Sequence, residues 1–116
     1  MQKAMALHMK SGILTTAPTS SPRDVSVLAP DVTSTSFRVT WSPPADGTNG
    51  PIIAYTVEHG LLADNLAVGS VEVTGQEYTI ENLRPFTDFF VRVAAKTTAG
   101  EGPFSQSYPV KTLSDG

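Results

Sequence analysis

Two histidines, a scatter of serines and two glycine-rich stretches are the groups in this chain that could carry chemistry. A histidine acts as base or metal ligand only beside a nucleophile, a carboxylate or further ligands at matched spacing. His8 stands in the amino-terminal stretch MQKAMALHMK, and His59 follows Tyr55 and Val57 on alternate positions. His59 therefore reads as a partly buried structural residue near the end of a strand, with no cysteine or acidic motif to complete a metal set. The serines fall in linker-like stretches or on strand faces, away from a positioned base. The glycines of DGTNG and TAGEG precede no helical period and carry no Gly-Lys-Ser/Thr ending, so they read as turns rather than phosphate cradles. The sequence predicts no catalytic, cofactor-binding or metal-binding residue and no enzyme.

Composition narrows the classes further. The chain has 116 residues, 40% of them apolar and 16% charged, with 9 Gly, 9 Pro and no Cys. A body of roughly 95 residues can bury about two-thirds of its unfolded surface, enough for one hydrophobic core. Without cysteine there is no disulfide and no thiolate site, which leaves the compartment open. Eight Lys plus Arg face 11 Asp plus Glu, for a net charge of −3, and the charges are spread singly. Nucleic acid is excluded as a partner for want of a basic patch, and nothing points to direct membrane contact. No apolar run approaches the ~20 residues of a membrane span.

The elements that must position these side chains are strands. Residues 83–95, LRPFTDFFVRVAA, place Leu83, Pro85, Thr87, Phe89, Val91, Val93 and Ala95 on every second position. A period of two predicts one dry and one wet face. Phe37, Val39 and Trp41 alternate likewise until Ser-Pro-Pro at 42–44 stops the run. Shorter alternations predict strands at 23–29, 52–59, 67–74 and 77–80, with 98–102 a turn and a last strand over 105–112 held to a sheet edge or bulge by Pro109. Seven short strands with Gly/Pro/Asn/Asp turns and no helical period predict an all-β, seven-stranded antiparallel β-sandwich. Residues 1–20 are expected to be a disordered tag or linker, 21–113 the domain and 114–116 a tail.

Trp41 before Pro43-Pro44, Tyr55-x-Val57, the run from Leu83 to Ala95, and Gly100-x-Gly102-x-x-Ser105 ahead of Val110-x-Thr112 together resemble a fibronectin type III domain, over about residues 21–113. The resemblance implies an immunoglobulin-like sandwich with Trp41 between the sheets and Tyr55, Val57, Leu83, Phe89, Val91 and Val93 in its core. It also exposes a departure. The family usually has Tyr two positions after Thr87, bonding back to the crossover backbone; Phe89 cannot, so the crossover must find another partner.

If Phe89 points inward, parity puts Phe86 and Phe90 on the solvent side, with Phe104 at the mouth of the last turn. The leading reading is that Phe86 covers the crossover while Phe90 packs against neighbouring side chains on the outer sheet face; the alternative takes Phe86, Phe90 and Phe104 as an interaction surface. No Asn-x-Ser/Thr acceptor follows Asn49, Asn65 or Asn82, and no Arg-Gly-Asp tripeptide is present. The resemblance and the linker-like flanks imply a spacer and protein-interaction module in a tandem array, within the extracellular part of a membrane-anchored adhesion receptor. Its partners would be other proteins and neighbouring domains of the same chain, and the isolated domain a monomer. Two alternatives are a mechanical link in a cytoplasmic muscle filament protein and a spacer in a secreted bacterial carbohydrate enzyme.

Overall fold

A computed structural model describes residues 16–115; the tag expectation for residues 1–15, and Gly116, lie outside the described residues. The strands are β1 (Arg23–Ser26), β2 (Phe37–Ser42), β3 (Ala54–Leu61), β4 (Leu66–Val73), β5 (Glu77–Ile80), β6 (Asp88–Thr97), β7 (Gly100–Phe104) and β8 (Tyr108–Lys111). Apart from a 3-10 turn at Ala29–Asp31 there is no helix among the described residues. A three-stranded sheet has the order β1-β2-β5, and a five-stranded sheet the order β4-β3-β6-β7, with β8 also on β6. All pairings are antiparallel.

Side-chain alternation makes each sheet amphipathic, and the two apolar faces hide against one another. Along β2, Phe37, Val39 and Trp41 are buried while Arg38, Thr40 and Ser42 are half-buried. From β3, Tyr55 and Val57 point into the same interior, and from β6 so do Phe89, Val91, Val93 and Ala95. Two aromatic contacts join the layers: Trp41 meets Tyr55 edge-on with ring centres 5.5 Å apart, and Phe37 meets Phe89 at 6.5 Å.

The long alternating run divides into a crossover, where the resemblance puts Leu83 and Pro85, and a strand. The strand begins only at Asp88. Residues 83–87 form the crossover between sheets, because Asn82 and Phe86 have φ of 63° and 50°, which no extended strand accommodates. The second face of β6, expected to be wet, is so only in part: Phe90 and Ala94 are both 0% exposed, whereas Arg92 and Lys96 are half-buried and Asp88 is exposed. β6 is flanked by β3 on one side and by β7 and β8 on the other, so neighbours cover its outer face too.

The last expected strand, 105–112, is confined to Tyr108–Lys111, and an additional strand occupies part of the expected 98–102 turn. β7 already starts at Gly100, and the interruption falls at 105–107. There Ser105 keeps the ladder continuous, its Oγ accepting the Val93 N–H at 3.0 Å while its own N–H donates to the Val93 carbonyl at 2.8 Å. Pro109 lies on this edge, opposite Phe90.

Truncating Trp41 removes the largest inter-sheet side chain. Trp41→Ala is expected to lower unfolding free energy by about 3–5 kcal/mol, read as a shifted urea midpoint with an unchanged slope.

Candidate interaction surface

The inward side chains come together. Trp41, Tyr55, Val57, Leu83, Phe89, Val91 and Val93 are each no more than 9% exposed and belong to one cluster. Burial raises the Tyr55 phenol pKa above its ordinary value.

The three outward aromatics do not converge. Phe90 packs on the outer sheet face, as the structural reading has it: it lies opposite Gly60, and its ring would sit 2.8 Å from a Cβ added there, so it fills the hollow that the missing side chain leaves. Phe104 is half-buried. Between the two aromatics lies Arg92, its guanidinium carbon 5.9 Å from the Phe90 ring centre and 4.6 Å from that of Phe104. Glu58 accepts from Arg92 at 2.6 and 3.0 Å and holds the cation in place. Phe90 and Phe104 are thus engaged within the sheet face. Phe86 alone of the three is broadly exposed, at 65%.

Phe86 is held in place by its backbone. The Thr112 hydroxyl, 2% exposed as a residue, donates to the Arg84 carbonyl at 2.7 Å and accepts the Thr87 N–H at 3.0 Å. Thr87 Oγ1 donates to the Pro85 carbonyl at 2.9 Å, and the Phe86 N–H donates to the Leu113 carbonyl at 3.0 Å. The crossover that lacks a tyrosine hydroxyl at position 89 is therefore bonded by a threonine from the carboxy-terminal end. In the sequence Thr112 is only one landmark of the family pattern, and no local signal marks it as the crossover's partner.

A φ of 50° at Phe86 is unfavourable for a bulky side chain, and this ring gains little burial in return. Lys111 Nζ stands 4.0 Å from its ring centre. Leu61, Leu62, Ala63, Arg84, Phe86, Thr87 and Asp88 line a shallow groove of about 440 Å3. Leu62 is 39% exposed, and Leu113, bonded to Phe86 through the backbone, is 54% exposed. The result is an apolar patch with charges at its rim, at the end of the sandwich where β6 begins.

His59 lies elsewhere, in a groove of about 280 Å3 between β4 and β5 that Tyr78 and Glu81 also line. Its imidazole covers Gly69, whose added Cβ would fall 2.4 Å from the ring. Burial lowers its pKa below 6.5. Among the described residues no group of three His, Asp or Glu could hold a metal ion. On the sheet faces, Arg38 pairs with Asp31 and Glu77, Arg92 with Glu58 and Lys96 with Glu72. No helix among the described residues is long and apolar enough to cross a membrane.

Comparison with known proteins places this geometry. The family model described as "Fibronectin type III domain" matches residues 20–111. The chain is 35% identical over 89 residues to Protein sidekick-2 of Mus musculus, covering 74% of this chain and 4% of that protein. It is 33% identical over 104 residues to Receptor-type tyrosine-protein phosphatase F of Danio rerio, covering 85% of this chain and 5% of that protein. The chain thus spans a small fraction of the relatives it matches. Among solved structures, domains A168–A170 of titin superpose with a TM-score of 0.71 at 30% identity, covering 85% of this chain and 32% of that one.

Two outcomes are expected at these sites. Phe86→Asn relieves the left-handed strain and gives up one exposed cation–π contact worth about 0.5–1 kcal/mol; stability in urea should stay level or rise slightly, whereas a loss above about 1 kcal/mol would show that the ring is a structural cover of the crossover. For His59, the folded pKa is depressed, so the unfolded chain binds more protons once the pH drops below about 6.5. Its share of stability is complete above that pH, declines as the pH falls towards the folded pKa, and then levels off. Urea midpoints at pH 7.5 and 5 should therefore separate more in the unaltered chain than in His59→Gln.

Proposed function

The chain belongs to the fibronectin type III family, and from that premise we propose that it is a non-catalytic spacer and protein-interaction module in the extracellular part of a cell-surface or adhesion receptor, one of a tandem array. The observation that carries this reading is the exposed Phe86, with Leu62 and Leu113, displayed on a backbone conformation that costs stability. Aromatic residues with a charged rim are the usual composition of a protein-binding patch. The backbone beyond Leu113 emerges at its rim, so a neighbouring domain of the same chain can reach it as readily as a separate protein.

The partners we propose are other proteins and neighbouring domains, through the groove beside Phe86. No nucleic acid is among them, because Arg38, Arg92 and Lys96 are paired with carboxylates and the charges of the sequence are spread singly, with no basic cluster. The proposal includes no cofactor and no direct membrane contact, and the isolated domain is a monomer. A relative named as a receptor-type phosphatase supports the cell-surface placement. The likeness to titin favours a second reading, a mechanical link in an intracellular muscle filament protein.

Antibodies against the isolated domain, applied to cells that make the parent protein, separate the two. Labelling of intact cells, abolished by external protease, is the expected result; labelling only after permeabilisation would transfer the module to the filament class.

A further inference from the structure

Residues 16–20 have the composition of a free linker, yet they are bonded to two separate parts of the fold. The Thr16 N–H donates to the Asn49 carbonyl at 3.1 Å, and the Thr19 N–H to the Gly47 carbonyl at 2.8 Å. The Asn49 side-chain amide donates to the Ala17 carbonyl at 3.3 Å, and the Ser20 hydroxyl to Asp46 at 3.2 Å. From the other side Thr97, 1% exposed at the end of β6, donates its hydroxyl to the Thr16 carbonyl at 2.8 Å.

The surfaces that receive the segment are shaped for it. A Cβ added at Gly102 would lie 2.7 Å from the Pro18 carbonyl oxygen and 2.8 Å from Pro18 Cβ. One added at Gly47 would lie 2.6 Å from Thr19 Oγ1 and 2.8 Å from Ser20 Oγ. Glycine within a strand marks a close approach of another backbone, and at Gly102 that backbone is residue 18, itself buried. The loop at 43–53 contributes one wall, and the end of β6 with β7 the other.

We infer that Thr16–Ser20 is a strap seated in a groove built to receive it, which locks the 43–53 loop to the β6–β7 hairpin. The strap then belongs to the domain rather than to a free linker. The loop end of the sandwich is closed by its own chain, so recognition is left to the opposite end of β6, where Phe86 lies. This strap stands whether the parent protein is a receptor or a filament.

The test is amide hydrogen exchange on the full 116-residue chain and on Gly102→Ala. Gly102 has no left-handed φ, so the added methyl acts on Pro18 rather than on the β7 backbone. In the unaltered chain the Thr16 and Thr19 amides should exchange at least about tenfold slower than an unstructured peptide. In Gly102→Ala that protection should be lost, while Val91 and Val93 keep theirs. Thr97→Val, which removes the hydroxyl and keeps the shape, should release Thr16 in the same way and serves should Gly102→Ala fail to fold. Unprotected Thr16 and Thr19 in the unaltered chain, or protection that survives both substitutions, would overturn the inference.

Discussion

Two β-sheets with no disulfide between them are packed here through an aromatic interlock. Trp41 on one sheet meets Tyr55 on the other, and Phe37 meets Phe89. In the absence of cysteine, what opposes the chain entropy is burial, directed by the shapes of these rings and the aliphatic residues around them. Remove the interlock and each sheet has a wet apolar face. The ion pairs on the outer faces cannot replace it, since exposed pairs contribute little.

That interlock positions β6, and β6 positions both ends of the domain. At its start the crossover is bonded by the Thr112 hydroxyl and presents Phe86. At its end Thr97 bonds the Thr16 carbonyl and draws the amino-terminal segment across the loops. The two ends differ in kind: one displays an unfavourably placed, exposed ring, and the other satisfies its polar groups with the chain's own backbone.

The outer face of the larger sheet shows why exposed-looking positions can be structural. Phe90 occupies space vacated by Gly60, and Arg92, anchored by Glu58, fills the gap between Phe90 and Phe104. The long aliphatic stem of an arginine covers apolar surface while its head remains paired. The sheet face is thereby finished within the domain, whereas Phe86, Leu62 and Leu113 stay exposed where β6 begins.

Much of this was determined by the sequence alone. Alternation in FRVTW and in DFFVRVAA marks strands and their inward residues, and the turn residues separate them, because strand parity and turn chemistry act between residues one to three apart. Only tertiary structure decided that Phe90 is covered, that Thr112 bonds the crossover, that the final strand divides at Ser105 and that Thr16 to Ser20 lie in a groove. Each of these depends on a partner distant in the chain: Gly60 for Phe90, Arg84 for Thr112, Val93 for Ser105, Asn49 and Thr97 for Thr16. Parity assigns a side chain to one face of its own strand, but what covers that face is set by where the other strands and loops come to rest.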